Sequence, residues 1–481
     1  MPPAQEYTVS RPSVPALTLP GVAVRHRVAL VILGLTALSF LAPAAPPYDP
    51  WAWIIWGREV LHLDLSTVDG PSWKPLPVLL TTPFALFGGL APDLWVFVAR
   101  AGAIAGVYFA FRLGRRLGGG PAAGLAAAAP YALAPWTLRN GAMGNSEGIM
   151  VALVLAAVDR HLDGRYRAAF ALALGAALLR PEAWPFIGLY GLWLLWRRAD
   201  LRRLVIAGFA SMPVLWLLPE WWGSGDLLRA AHRAQNPRAD SPAFAENPIR
   251  AVLDQFASML TPMVWAGIAA LVLAVVLRRV PGRRDGVTAA VLAVGALLWV
   301  AEVAVMTSDG GFSGNIRYLV MPAAALCVLA GTGVGWLARA VLGRRATAGP
   351  VALVLAVVAG AAFAAPAVHR VPDDIAAITF QARLNDGVGL AVARAGGAER
   401  LRACGNPYTG PFQVPVVAWN LGVHTTQVHL VPRRPAVVFR VRSNATSFPG
   451  PSLRTLGGDE GVRTLSVGGG WRVVAACRGG A

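Results

Sequence analysis

Charged side chains are scarce in this chain. They make up 14% of its 481 residues, where a soluble domain of ordinary composition carries about 25%. The shortage excludes an ordinary water-soluble globule, and a mean hydropathy of +0.53 agrees. Lysine is scarcer still: Lys74 is the only one among 43 basic residues. Cysteine occurs three times. Cys327 lies inside an apolar run and reads as inert, whereas Cys404 and Cys477 both fall in the polar C-terminal region. A Cys404–Cys477 disulfide, closing a long loop, is expected if that region lies outside the membrane. A convincing cleavable signal peptide is also missing. The first apolar run starts at Val28, after Arg25 and Arg27, and reads as a retained span.

What is present is apolar. Hydrophobic residues make up 56% of the chain, and long apolar runs recur from Val28 to about Val368. The net charge is +18. In a soluble protein that excess would suggest nucleic acid. Here the arginines sit in clusters between apolar runs, so they read as topology signals and no nucleic-acid partner is expected.

The clusters set the orientation. They are Arg25/Arg27, Arg112/Arg115/Arg116, Arg160/Arg165/Arg167, Arg197/Arg198/Arg202/Arg203, Arg278/Arg279/Arg283/Arg284 and Arg339/Arg344/Arg345. Placing every cluster inside requires an even number of crossings between neighbours. The runs 28–45, 94–111, 121–138, 146–158, 204–218, 260–277, 287–306, 319–337 and 350–368 supply nine crossings. Residues 168–196 form a run interrupted by Arg180-Pro181-Glu182. One tilted helix could span it, but two short helices turning at Arg180-Pro181 keep both flanking clusters inside, and that reading is preferred. The expectation is an all-α polytopic membrane protein of about eleven transmembrane helices, N-terminus inside and C-terminus outside.

Three parts follow: a cytoplasmic tail 1–27, a transmembrane module 28–368 whose first outer loop is 46–93, and an extracytoplasmic domain 369–481. The last part is less apolar, with strand-like runs at 436–441 and 471–476 and a helical stretch at 374–393, so it reads as a small α/β domain. It also holds an Asn444-Ala445-Thr446 sequon, which matters only where the host glycosylates such sites.

The first outer loop carries the densest signal. Tyr48-Asp49-Pro50 follows the first span at once, and Trp51, Trp53 and Trp56 come next. Tryptophans favour membrane interfaces, so residues 51–63 read as a helix lying along the outer surface. Asp49 would then sit at the water–lipid boundary, partly desolvated and suited to a general base. It also suits an N-cap before a helix starting at Pro50. The two roles are compatible, and both stay open. Lys74 survives in a chain that otherwise uses arginine. That survival is either chance or a requirement for a compact ammonium, such as one that meets a phosphate oxygen. The run 76–90 is short and proline-interrupted, in the manner of a half-embedded helix.

In order along the chain, these features resemble the GT-C superfamily of membrane glycosyltransferases, in the branch of the protein O-mannosyltransferases and the lipid A aminoarabinose transferase. The resemblance covers about residues 25 to 340. It rests on Asp49 after the first span, Trp73-Lys74-Pro75-Leu76-Pro77 leading to Phe87-Gly88 and Arg100, Arg112-Leu113-Gly114-Arg115-Arg116, Arg139 with Glu147, Leu179-Arg180-Pro181-Glu182, and Arg317-Tyr318 opening a late span. It implies a sugar donor on a polyprenyl phosphate. It implies an acceptor on an envelope glycan, lipid or protein, and inverting transfer at the outer face. Carried onto this chain, Asp49 would be the base, and Lys74 and Arg317 would hold the lipid phosphate. Tyr318, Glu147, Arg139, Arg180, Glu182 and Glu220 are further candidates for substrate binding. Two departures matter: Pro50 follows Asp49 where many relatives carry a second acid, and the second-loop acid is Glu147 where Asp is usual. Both weaken the case for a divalent metal between the loops, and no cofactor is assigned.

Several charges also have plain structural readings. Glu147 opens a helix, where an acid suits the dipole. Arg180 and Glu182 can pair with each other, and Glu302 can answer Arg100 across the bundle; intramembrane charges otherwise default to functional candidates. Glu220 and Asp226 lie in an aromatic, charged outer loop that suits either a sugar site or a surface helix. Two other function classes remain: a transporter or flippase, for which no convincing internal repeat is visible, and a non-catalytic scaffold or export subunit.

Overall fold

The computed structural model describes residues 21–348, 350–442 and 450–477. Most of the expected cytoplasmic tail and the whole Asn444-Ala445-Thr446 sequon therefore lie outside the described residues. The described chain is a helical bundle followed by a small mixed sheet.

Proline places many helix starts. Pro75, Pro121, Pro135, Pro248 and Pro262 each open a helix, where the missing N–H costs no intrahelical bond. The helix Ala91–Gly118 carries Arg115 and Arg116 in its last turn and stops at Gly119, whose φ is +79°. Basic charge and a left-handed glycine both suit that end.

Small residues bring the central helices together. Ala91–Gly118 and Val320–Ala348 approach so closely that a Cβ on Gly335 would stand 2.3 Å from the Gly118 carbonyl oxygen. A Cβ on Gly331 would stand 2.4 Å from the Ala123 carbonyl oxygen. Gly114/Gly118 and Gly331/Gly335 are spaced four apart, as in helix contacts within membranes.

Among the described residues, four helices are long and apolar enough to cross a membrane: Pro75–Gly118, Ala199–Ser224, Arg283–Ser308 and Ile316–Val341. Two bent pairs, Pro135–Ala142 with Glu147–Leu162 and Pro248–Met259 with Pro262–Val276, raise the number to six. This supports a multi-pass membrane protein; among the described residues, length and composition alone give four to six spans and do not fix the count at eleven. Some helices are short. Tyr166–Ala177 has 12 residues, which rise about 18 Å, well short of the roughly 30 Å hydrocarbon core. That helix and Trp184–Arg197 are separate, with the break at Leu178–Ala183 around Arg180.

The helix Tyr48–Leu61 differs from the surface-lying helix expected there. Trp53 and Trp56 are fully buried and Trp51 nearly so. They face protein instead of lipid because the helices Pro75–Phe84 and Val414–Leu421 pack against this segment. Trp51 lies 6.1 Å from Trp419, and Trp53 meets Trp95 edge-on at 5.4 Å.

A single helix, Pro350–Arg394, runs through the expected boundary at 368/369 and enters the C-terminal part. There four strands order as β1 (Asn406–Tyr408), β2 (Ala436–Val441), β4 (Trp471–Ala476) and β3 (Arg463–Gly468). β1 is parallel to β2; the other pairings are antiparallel. Val437, Phe439, Trp471 and Val473 join a core with Val388, Ala391 and Val417. Trp471 Nε1 donates to the Leu384 carbonyl at 2.8 Å, fixing the sheet to the long helix.

Cys404 and Cys477 are bonded, and Cys327 is free and buried. A maleimide reagent applied to the unfolded, unreduced protein is expected to label one thiol, at Cys327, and three after reduction. Three labels without reductant refute the bond.

Candidate active site

Asp49 sits in the first turn of the helix Tyr48–Leu61, whose N-cap is Pro47. No side chain caps that terminus, so the N-cap reading of Asp49 is corrected. The cap position falls two residues earlier, and the carboxylate turns elsewhere. Its Oδ2 accepts from Arg317 Nη1 at 2.8 Å. Among the described residues its Oδ1 makes no hydrogen bond, and both side chains stay partly exposed.

Arg317 continues the chain inward. It lies in the turn Ile316–Leu319, where its amide is held by Asn315 Oδ1 at 3.0 Å. Its Nε donates to Glu147 Oε1 at 2.6 Å. Glu147 opens the helix Glu147–Leu162 and is 2% exposed. Its place at the helix start agrees with the dipole reading. The same oxygen accepts from Arg180 Nη2 at 2.5 Å, and Arg180 Nη1 donates to Glu182 Oε1 at 3.3 Å. Arg180 also lies over the Tyr318 ring at 5.1 Å. Five alternating charges thus run Asp49, Arg317, Glu147, Arg180, Glu182. Arg317 Nη2 and Glu182 Oε2 are buried without a protein partner.

Lys74 stands beside this chain but outside it. It precedes the helix Pro75–Phe84 in extended conformation, φ −140° and ψ 112°. Its Nζ lies 5.1 Å from the centre of the Trp53 ring, and no carboxylate is within ion-pair distance among the described residues. Burial, then Arg180 and Arg317, pull its ammonium down to about 7; Asp49 and Glu147 oppose this. Desolvation and neighbouring like charge both disfavour the protonated form.

Asp49, Lys74, Arg180, Glu182, Arg317 and Tyr318 line one end of a cavity of about 1130 Å³. Ile187, Phe209, Met212, Trp216 and Leu217 form an apolar wall on the helices Trp184–Arg197 and Arg202–Ser224. The volume exceeds that of most drug-sized pockets. Ionic head and apolar wall together suit an amphiphile with an anionic head group.

The remaining candidates lie elsewhere. Glu147 is behind the cavity wall, beneath both guanidiniums. Arg139 is exposed and does not line the cavity. Glu220 is fully buried outside it, 3.7 Å from Arg229. Asp226 pairs with His232 at the surface. The expected pairing of Glu302 with Arg100 is corrected: Arg100 donates to the carbonyls of Ser39, Ala42, Pro43 and Ala142, which satisfy its guanidinium locally. Among the described residues no three His, Cys, Asp or Glu side chains form a metal cluster. Sequence reasoning missed Arg233, Asn236 and Arg238, which line the far side of the cavity. Their stretch was noted only as mixed aromatic and charged, and nothing local distinguishes a cavity arginine from a surface one.

A helical bundle with this charged head and a C-terminal sheet has the fold of solved membrane-enzyme structures of the ArnT type. Two solved structures of ArnT carry the likeness. The structure of ArnT from Cupriavidus metallidurans bound to undecaprenyl phosphate matches with TM-score 0.56 at 14% identity, over 95% of this chain and 98% of that one. The apo state of the same protein matches with TM-score 0.56 at 16% identity, over 95% and 97%. At such identity the likeness is one of fold. The sequence matches no protein-family profile and no curated protein.

Removing Glu147 leaves the buried Arg180 and the partly exposed Arg317 guanidiniums facing each other. Glu147→Ala is expected to lower stability in detergent by ~3–5 kcal/mol, while Asp254→Ala, at an exposed ion pair, shifts it by less than about 0.5 kcal/mol. Thermal or denaturant unfolding of the purified variants reads the difference.

Proposed function

We propose that this chain is an integral membrane glycosyltransferase. It moves a sugar from a polyprenyl-phosphate donor to an acceptor hydroxyl with inversion, at the outer face of the plasma membrane. The observation that carries this reading is that Asp49, Lys74 and Arg317 face one cavity with an apolar wall. The ArnT structure bound to undecaprenyl phosphate supports the carrier class. The acceptor is an envelope glycan, lipid or protein. The positive-inside pattern supports about eleven crossings, with residues 369–481 outside. The Cys404–Cys477 bond suits an oxidising compartment on that side.

In the proposed reaction the acceptor hydroxyl gives its proton to Asp49 Oδ1, and its oxygen attacks the anomeric carbon. The bond from that carbon to the phosphate oxygen breaks, and the electron pair leaves with the phosphate. One negative charge is thereby lost at Asp49 and gained at the phosphate. Arg317 touches Asp49 directly, and Glu147 draws on the same guanidinium from the other side. This arrangement fixes Oδ2 and leaves Oδ1 for the acceptor. Lys74 meets the phosphate as a point charge, and stabilisation of the growing phosphate charge lowers the barrier.

The test of the base is Asp49→Asn. Transfer from a polyprenyl-phosphate sugar is expected to fall by roughly 10²–10⁴-fold, with membrane insertion and donor binding retained. Full activity in this variant excludes Asp49 as the base. Movement of lipid-linked sugar across vesicles with no covalent product would indicate a flippase.

Lys74 gives a pH signature. Its ammonium is present below about 7 and lost above it. A polyprenyl phosphodiester analogue keeps its single charge across this range, so its affinity is expected to fall as pH rises from 6 to 8. In Lys74→Arg, whose charge persists, that dependence is expected to disappear. Equal slopes in both proteins exclude Lys74 as the titrating contact.

A further inference from the structure

Residues 66–73 lead to Lys74 without helix or strand of their own. Their backbone groups therefore need outside partners. Ser66 is held by Trp56 and Glu59, and the backbone partners of residues 67–71 come from one stretch, the helix Arg202–Ser224 and the short helix Arg229–Ala234, which also receives the side chains of Ser72 and Trp73. Arg229 Nη1 donates to the Pro71 carbonyl at 2.6 Å, and its Nη2 to the carbonyls of Gly70 at 3.0 Å and Val68 at 3.3 Å. Arg233 Nε adds a bond to Gly70 at 3.2 Å. Ser72 Oγ donates to the Ala230 carbonyl at 2.9 Å, and the Thr67 amide to the Gly223 carbonyl at 3.0 Å. Trp73 Nε1 donates to the Leu215 carbonyl at 3.0 Å. Gly70 takes φ +111°, and a Cβ there would meet the Trp56 ring at 2.9 Å.

Arg229 spends its donors on neutral carbonyls while 7% exposed, so its charge needs a counterpart. Glu220 supplies it, fully buried and 3.7 Å from Nη1. The carboxylate has no completed hydrogen bond; the Thr67 hydroxyl and the Trp73 amide face it short of full geometry. These two groups belong to the two ends of the same segment.

We infer that the buried Glu220–Arg229 pair is a positioning device: it holds residues 67–73 in the one backbone shape that delivers Lys74 over Trp53 into the cavity. Its functional value rests on the donor-phosphate role proposed for Lys74. Neither residue lines the cavity, so neither contacts substrate, and the candidate substrate-binding reading of Glu220 becomes an indirect one. Arg229 is suited to the task because one planar guanidinium can serve several acceptors at once.

The single lysine makes this testable without substrate. Lys74 is the only side-chain amine in the protein, so its acylation by an N-hydroxysuccinimide ester, read by peptide mass spectrometry across a pH series, reports its titration directly. In the unaltered protein the midpoint is expected near 7. Asp49, Arg180, Arg317 and Glu147 are the charged groups that face it. In Glu220→Gln and Arg229→Gln the segment loosens and water reaches the ammonium, so the midpoint is expected to rise by on the order of one unit or more. Ser72→Ala removes one bond of the clamp outside the buried pair and is expected to shift it in the same direction by less. It serves if the buried variants do not fold. Asp254→Ala is expected to change nothing. With a competent donor, the clamp variants are expected to raise the donor KM roughly tenfold with kcat within a few-fold. An unchanged midpoint in the folded variants, Ser72→Ala included, overturns the inference. A raised midpoint in a protein that transfers no sugar supports the clamp and removes the glycosyltransferase reading instead.

Discussion

Glu147 is a nearly inaccessible carboxylate held by two guanidiniums, and the head of the bundle is organised around it. Arg317 reaches it from the turn before a long helix, and Arg180 from the break between two short ones. Each cation then passes to a further acid, Asp49 on one side and Glu182 on the other. Four separate stretches of chain are fixed by this alternation. Buried charge is costly unless each group is paired, so no member can leave without exposing the next. Three carboxylates and two guanidiniums leave one excess negative charge, which Lys74 brings to neutrality when it is protonated. A site balanced in this way holds its cations close together before any anionic ligand arrives.

The C-terminal part contributes from the opposite side. Its helix Val414–Leu421 covers the helix that carries Asp49, and Arg58 donates to the Val423 carbonyl at 2.8 Å. His424 lies between Glu59 at 2.7 Å and Asp64 at 3.1 Å. Trp51 packs against Trp419 of this part and is thereby removed from lipid and made into core. The helix that presents the proposed base is thus gripped along its length by the sheet domain and at its first turn by Arg317.

Local chemistry made several elements readable in advance. The strand runs at 436–441 and 471–476 coincide with β2 and β4, because β-branched and aromatic residues between turn-forming stretches favour few alternatives. The break at Arg180-Pro181 was readable because a proline and two charges interrupt an apolar run. Pairing of Arg180 with Glu182 followed from proximity in sequence. Other features were not readable. The count of spans came from charge placement, and the length and apolarity of the described helices alone do not fix it. Glu302 and Arg100 looked complementary, yet carbonyls from the first span and from Ala142 had already satisfied the arginine.

The sequence by itself determined that this chain lives in a membrane, and which few ionisable groups stand out in so apolar a chain. Those conclusions rest on composition, periodicity and charge placement, which are properties of neighbours along the chain. Only the tertiary structure decided that Asp49 answers Arg317 and caps nothing, that Glu147 lies behind the cavity, that Arg139 does not line it, and that Glu220 is buried beside Arg229. Each of these depends on how separate elements pack, and on burial that no local pattern reports.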